Sequence, residues 1–410
     1  MSVEALGCKE CGADYPLDAR YVCEACFGPL EIRYDLSGLE ATEVRRRIQA
    51  GPNDIWRYAD FLPFDQAPRT PLAAGVTPLV RADRLAERLG LGEVWVKNDA
   101  ANPTHSFKDR VVTIALAKAR ELGFEVVACA STGNLANSVA AHAAAAGLDS
   151  YVFIPSDLEE QKVLATGVYG TKLVAVRGNY DDVNRLCTEL SGEREWAFVN
   201  VNLRPYYAEG SKTIAYEIAE QLGWRLPDRI VAPIASGSLF TKIARGFDEW
   251  REVGLIEGEL PVFNGAQAEG CSPVAQAFAA EHDVCRPVKP DTIAKSLAIG
   301  NPADGPYALD LARRSGGGVD AVDDDEIRAG IALLAETTGI FTETAGGVTT
   351  ATLAALARRG EIGSDERVVL VITGDGLKTL DAVRGSFETT VIEPSADAFE
   401  TALGVDAVAP

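Results

Sequence analysis

Cysteines near the start of the chain fall into two pairs, Cys8-Lys9-Glu10-Cys11 and Cys23-Glu24-Ala25-Cys26, and thiolates at that spacing chelate soft metal ions. Two such knuckles in one short segment can place Cys8, Cys11, Cys23 and Cys26 tetrahedrally around a single Zn2+. Four thiolates leave no open coordination position, so the expected role is structural. Residues 1–35 hold too little apolar mass to fold unaided. Gly12 and Gly28, each just beyond a knuckle, are expected to supply tight turns. A redox disulfide pair and a rubredoxin-type iron site use the same spacing and compete with zinc.

A second set of residues begins at Asn102-Pro103-Thr104-His105-Ser106-Phe107-Lys108-Asp109-Arg110. Asn102-Pro103 signals a turn, and Ser106 can cap the helix that follows. Lys108 then lies in the first helical turn, with Asp109 as a compensating anion. The positive end of a helix dipole disfavours an ammonium, and a lysine kept partly neutral suits Schiff-base chemistry. Taken alone, such a lysine is more often a surface charge.

Two further turns each follow an apolar run and precede a helical stretch. Ser131-Thr132-Gly133-Asn134 offers backbone N–H groups, two hydroxyls and an amide at a helix N-terminus. Ala235-Ser236-Gly237-Ser238-Leu239 can cradle a phosphate with main-chain N–H groups. Each by itself reads equally well as a plain capped turn. Neither has the glycine spacing of a dinucleotide fingerprint or a P-loop, which weakens nucleotide readings. Thr373-Gly374-Asp375-Gly376-Leu377-Lys378 closes the last apolar run, where the Thr373 hydroxyl can meet a heterocycle nitrogen.

These turns need a scaffold that brings them together. Short β-branched runs occur at Glu93–Lys97, Val126–Ala130, Tyr151–Pro155, Lys172–Val176, Phe198–Asn202, Arg229–Ala235, Val262–Ala266 and Arg367–Thr373. Between most of them lie stretches of helical length such as Phe107–Leu122, Leu135–Ala146, Thr213–Gln221 and Thr241–Trp250. That alternation predicts parallel sheets covered on both faces, with ligands bound beyond the carboxyl ends of the strands. Gly316-Gly317-Gly318 is expected to end a helix, and Asp323–Asp325 to cap the next.

Taken together, the segments from about Thr77 onward resemble the threonine synthase family. The match rests on the Asn102–Arg110 segment, the Ser131–Asn134 turn, Phe341-Thr342-Glu343-Thr344-Ala345-Gly346-Gly347 and Thr373–Lys378. Gly265-Ala266-Gln267-Ala268-Glu269-Gly270 and Ser296-Leu297-Ala298-Ile299-Gly300-Asn301-Pro302 add to it, and some relatives carry a zinc-ribbon-like N-terminus. The resemblance implies an α/β, fold type II, pyridoxal-phosphate (PLP) enzyme. It would have two three-layer α/β domains with the cofactor cleft between them, plus the small four-cysteine zinc ribbon. The expected division is residues 1–35, a large domain of 36–110 with 205–410, and a small domain of 111–204. The implied roles are Lys108 as Schiff-base lysine and proton shuttle, Asn134 on the cofactor's phenolic oxygen, Ala235, Ser236, Gly237, Ser238 and Leu239 on its phosphate, and Thr373 on its pyridine nitrogen.

The implied reaction converts O-phosphohomoserine and water to L-threonine and phosphate. Ser131, Thr132, Arg110, Asn202, Arg204 and Lys212 are candidates for binding the substrate's phosphate; for the arginines and Lys212 a solvated surface charge is the competing account. Two departures from the family pattern stand out. His105 occupies a position usually held by a small residue, and the Ala235–Leu239 loop is less glycine-rich, with the Ser236 and Ser238 hydroxyls able to compensate. Rival readings are a cysteate synthase using O-phosphoserine and sulfite, a threonine dehydratase-like lyase, and a catalytically idle PLP-binding relative.

Composition narrows the partners. The chain has 60 acidic and 39 basic residues, a net charge of −21, which disfavours nucleic acid and anionic membranes at long range. Arginine dominates the basic residues, and an acidic, lysine-poor surface suits a high-salt cytoplasm. The N-terminus shows no basic leader or signal-length apolar run, so a cytoplasmic location is expected; separately, the expected assembly is a homodimer. The remaining cysteines, Cys129, Cys187, Cys271 and Cys285, are scattered and read as reduced thiols, mostly in the core.

Overall fold

The computed structural model describes residues 2–131, 133–158, 160–178 and 180–404. In chain order the strands are β1 Ser2–Cys8, β2 Asp14–Tyr15, β3 Leu30–Asp35, β4 Leu79–Arg81, β5 Glu93–Asn98, β6 Val126–Ala130 and β7 Asp149–Pro155. They continue as β8 Lys172–Val176, β9 Ala197–Phe198, β10 Arg229–Pro233, β11 Val262–Ala268, β12 Gly318–Val322 and β13 Arg367–Ile372. Three sheets result, in the orders β2-β1-β3, β12-β11-β10-β13-β5-β4 and β8-β7-β6-β9.

Parallel pairing dominates the two larger sheets, as the alternation of strands and helices requires. The exception is the short edge strand β4, antiparallel to β5 through Leu79 opposite Lys97. Period-two alternation buries both faces. Ile230, Ala232, Val369 and Val371 join a core with Tyr216, Phe240 and Trp250, while Val231, Val368 and Leu370 pack on Leu334, Leu353 and Leu356 behind. In the four-stranded sheet, Val127, Cys129 and Val152 meet the helix Lys108–Glu121, and Ala128, Ala130 and Phe153 meet Val183 and Cys187.

Several boundaries differ from the sequence reading for identifiable reasons. The run expected to be a strand over Phe198–Asn202 ends after Phe198, because Asn202 folds back to accept from the Phe198 N–H at 2.8 Å. Gly316 does turn the chain, at φ +74°, but Gly318 opens strand β12. Gly317 has no room for a Cβ, which would lie 2.0 Å from the Phe263 carbonyl oxygen. Asp323 caps its helix through a capping box with Glu326. Ser106 does not cap the Lys108 helix: the cap position is Phe107, and the buried Ser106 Oγ has no hydrogen-bond partner among the described residues.

In the small β2-β1-β3 sheet the cysteine knuckles face each other. Gly12 takes a left-handed φ of +75°, while at the second knuckle Phe27 is the left-handed residue, at +60°. Gly28 is needed for close approach instead, since a Cβ there would sit 3.0 Å from Cys8 Sγ. Cys129, Cys187, Cys271 and Cys285 are unpaired and buried. Among the described residues no helix is long and apolar enough to cross a membrane.

Candidate active site

The site is assembled where turns from distant parts of the chain are joined by backbone bonds. The Phe107 N–H donates to the Thr373 carbonyl at 2.9 Å, and the Asp375 N–H donates to the His105 carbonyl at 3.1 Å. On the other side of the Thr373 turn, the Glu343 N–H donates to the Gly374 carbonyl at 3.1 Å, and Thr342 Oγ1 donates to the same oxygen at 3.0 Å. The segment carrying Lys108 is thereby fixed to Thr373, and Thr373 to Glu343. His105 makes this turn at φ +61°, a conformation that favours glycine. Its ring is exposed, so the residue's visible contribution is to the backbone path.

Lys108 is the first residue of its helix, and its Nζ lies 2.8 Å from the Tyr207 hydroxyl and over the Phe107 ring. Tyr207 comes from a separate short helix, Arg204–Glu209. The Asp109 carboxylate accepts from the Thr104 N–H and hydroxyl and from Ser138 Oγ, at 2.6–2.7 Å, and lies 3.1 Å from His142 Nε2.

Asn134, at the N-terminus of helix Asn134–Ala146, donates from Nδ2 to Glu343 Oε2 at 2.8 Å. Thr373 Oγ1 lies 3.3 Å from the other oxygen of the same carboxyl. Glu343 is buried without an ion-paired partner among the described residues, and burial pushes its carboxyl up, against the opposing pull of Asn134, Lys378, Thr373 and Lys108. Lys378 bonds Asn137 Oδ1 at 3.2 Å, and burial pulls its ammonium down, against the nearby charges of Glu343, Asp109 and Asp375.

Ser131 Oγ accepts from the Gly133 and Ala136 N–H groups, at 3.3 and 3.1 Å. Thr132 lies outside the described residues. The Ala235–Leu239 turn runs into helix Ser238–Glu252, whose first N–H groups lack intrahelical acceptors. Gly237 takes φ +96° against the Asp304 backbone, where a Cβ would meet a carbonyl oxygen at 2.6 Å. The Asp304 N–H holds the Ser236 carbonyl at 2.8 Å, bracing the turn from outside.

Four of the residues proposed from sequence for the substrate's phosphate are committed elsewhere. Arg110 is fully buried, bonded to Asp99 at 2.6 and 2.8 Å and to Glu217, Thr77 and Thr213. Lys212 is also fully buried, against Glu209 at 2.7 Å and Glu249 at 3.0 Å. Asn202 spends its amide on the Phe198 N–H and the Trp196 carbonyl. Arg204 pairs with Asp304 at 2.6 Å, which places its charge behind the Ser236 turn. Arg110 and Lys212 share a cause: each is met by two buried carboxylates, one near in the chain (Asp99, Glu209) and one brought in by the fold (Glu217, Glu249). Burial pushes the Glu217 carboxyl up, yet Arg110 and Lys97 outweigh it and hold it at about 2; Lys212 and Lys242 do the same for Glu209, also about 2.

Residues 70–374 match the family model of pyridoxal-phosphate dependent enzymes. The fold is shared with the processed form of threonine deaminase isoform 2 from Solanum lycopersicum, at TM-score 0.63 and 22% identity over 84% of this chain and 87% of that one. Two joined α/β sheets with a lysine-bearing turn between them define this class as a fold type II PLP enzyme. A threonine synthase of Methanocaldococcus jannaschii is 41% identical over 391 residues, covering 94% of this chain and 96% of its own. A second, of Methanosarcina acetivorans, is 38% identical over 402 residues, 97% of this chain and 98% of its own. The chain belongs to the threonine synthase family.

Proposed function

We propose that the protein makes L-threonine and phosphate from O-phosphohomoserine and water. What supports this reading is that the Lys108 segment is bonded to Thr373, and Thr373 and Asn134 both to Glu343, in a chain similar to threonine synthases over nearly its whole length. The residues fit PLP: an amine at a helix start, a turn whose first-turn N–H groups have no intrahelical acceptors, and Ser106 Oγ, a buried hydroxyl without a partner among the described residues, two residues before the lysine. Bound there, the cofactor supplies an electron sink for breaking bonds beside the substrate's amino group.

The protein's part is placement and proton movement. Lys108 holds the cofactor and then removes the substrate's α-proton and a β-proton. Phosphate leaves from the γ-carbon, a proton is added to the γ-carbon, water adds its hydroxyl at the β-carbon, and a proton returns to the α-carbon. Tyr207 orients the lysine amine. Asn134 would hold the phenolic oxygen, Ala235 to Leu239 the cofactor phosphate, and Thr373 the ring nitrogen. With Arg110 and Lys212 unavailable, Lys378 is the cation we assign to the substrate phosphate, aided by Ser131. The lone pairs of Ser131 Oγ are occupied by backbone donors, which leaves its hydrogen for a ligand.

We further assign the four-stranded sheet to a small domain of residues 111–204, the six-stranded sheet to a large domain of 36–110 with 205–410, and the cysteine sheet to residues 1–35. The Sγ atoms of Cys8, Cys11, Cys23 and Cys26 lie within 4.8 Å of one another, with Cys8–Cys26 and Cys11–Cys23 at 3.5 Å. Zn–S bonds of about 2.3 Å in a tetrahedron require sulfur separations of about 3.8 Å, so these thiols suit a structural Zn2+.

The test is phosphate release and threonine formation with O-phosphohomoserine, beside O-phosphoserine with and without sulfite. Turnover confined to O-phosphoserine would replace this reading with the cysteate synthase one. A Lys108→Ala variant is expected to yield no threonine and no borohydride-trapped cofactor.

A further inference from the structure

Glu343 belongs to a motif that marks the family resemblance, yet no role attaches to it in the reading above. Its carboxyl is the one group that bonds both polar side chains assigned to the cofactor ring, Asn134 through Oε2 at 2.8 Å and Thr373 through Oε1 at 3.3 Å. The backbone lies close against it: a Cβ on Gly374 would lie 2.5 Å from Glu343 Oε1, so a larger residue there would have to displace the carboxyl. The charged groups facing it are Lys108, on its helix, and Lys378, from the segment after Gly374, which itself faces Asp109 and Asp375. Neither lysine forms an ion pair with Glu343 among the described residues.

A buried carboxyl in this setting has one acceptor task and one task that depends on its proton. Asn134 Nδ2 has to donate to Oε2. If Oε1 carries a proton, it donates to the Thr373 oxygen, and the Thr373 hydroxyl hydrogen must point onward, toward a ring nitrogen that accepts it. If Oε1 is ionised, Thr373 is drawn into donating to Glu343, and the ring nitrogen can meet it only as a donor. Burial, the largest influence on Glu343, favours the protonated form.

We propose that Glu343 is a positioning residue for the cofactor ring: its carboxyl, bearing the proton on the Thr373 side, turns the Asn134 amide toward the cleft and fixes Thr373 as donor to an unprotonated ring nitrogen. This rests on the assignments of Asn134 and Thr373 made above. It gives the neutral-hydroxyl partner of the ring a defined direction and sets a mild electron sink, suited to elimination and replacement.

Glutamine has the donor and acceptor pattern of the neutral acid, whereas methionine fills the same space with neither. The full-length protein loaded with PLP is compared as Glu343→Gln, Glu343→Met and Thr373→Ala, by visible absorbance across the neutral pH range and by cofactor dissociation. Melting curves verify folding, and Glu343→Leu replaces the methionine variant if that one does not fold. Glu343→Gln is expected to keep the wild-type band and a cofactor affinity within about twofold. Glu343→Met is expected to shift the band in the same direction as Thr373→Ala and to weaken cofactor binding about tenfold, or about 1.4 kcal/mol.

Glu343→Gln behaving like Glu343→Met would overturn the proposal, since the ionised form would then be the working one. A wild-type band in Glu343→Met beside a shifted one in Thr373→Ala would overturn it while leaving the cleft assignment standing. Wild-type behaviour in both would remove the assignment of Thr373, and the proposal with it.

Discussion

The Nζ of Lys108 lies 2.8 Å from the Tyr207 hydroxyl, though 99 residues separate them in the chain. The tyrosine sits on a short helix that also presents Glu209 to Lys212 and Lys242 and Arg204 to Asp304, so its backbone is held from several sides. A long, rotatable amine is thereby given one anchored neighbour at the helix start. Tyr207→Phe keeps the ring under the ammonium and removes only the hydroxyl. Misplacing a reacting group by about 1 Å can cost on the order of 100-fold, so kcat is expected to fall by about 10- to 100-fold with cofactor affinity nearly unchanged. Steady-state kinetics together with a cofactor titration checks this; equal loss in both would mean that Tyr207 supports the cofactor and not the amine.

Lys378 and Arg110 make opposite predictions although both are cations in motifs that mark the family. Lys378→Met is expected to raise KM for the phosphorylated substrate about tenfold, or about 1.4 kcal/mol, with melting little changed. Arg110→Met is expected to lower the melting temperature and leave KM of the folded fraction within about twofold, because removing one member of a buried ion cluster costs about 3–5 kcal/mol. A KM effect confined to Arg110→Met would reverse the assignment.

What the sequence disclosed and what it hid follow one physical division. Lys108 and Asn134 open helices, and Ser131 and Thr373 directly follow strands β6 and β13, positions that local turn and capping rules mark in the sequence. β6, β8 and the helix over Thr213–Gln221 also match their expected limits, since strong periodicity sets them locally. The sequence shows that Arg110 and Lys212 are charged, but not that Asp99 and Glu217, or Glu209 and Glu249, fold in to neutralise them. Tyr207, Glu343 and Lys378 meet Lys108, Asn134 and Asn137 through contacts across 99 to 241 residues, for which no spacing rule exists. Edge strand β4, three residues long, carries too little pattern to be found.

Acid should unfold the protein through its buried carboxylates. Glu217 and Glu209 are held at about 2, below the value of about 4.3 for an unfolded glutamate. A depressed carboxyl contributes stability that is complete above the unfolded value and is lost as pH falls through the folded one. Glu343, shifted upward, has the opposite sign and gains as pH falls. Urea midpoints are therefore expected to drop between about pH 4.3 and pH 2, and Glu217→Gln to start lower and fall less steeply. Parallel curves for the two proteins would remove Glu217 from the account.

Metal removal should act first on the cysteine sheet. The knuckle residues Lys9 and Glu10 lie on Tyr307, the first as a cation 3.4 Å from the ring centre and the second bonded to its hydroxyl, and Tyr206 donates to the Asp18 carbonyl at 3.1 Å. The ribbon is thus fastened to the catalytic body by polar contacts and by apolar packing, with Leu6, Leu30 and Ile32 in one buried cluster with Ile55, Trp56 and Tyr206, while the interior between its knuckles is lined by four thiols. Without a metal that interior has little to keep it closed. Chelation is expected to release about one Zn2+ per chain. Hydrogen exchange over residues 2–35 should rise well before that of β10 and β13, with most of the threonine-forming activity retained at mild chelator concentration. Simultaneous loss of protection in both regions would show that the ribbon is part of the catalytic fold's cooperative unit and not a separately melting attachment.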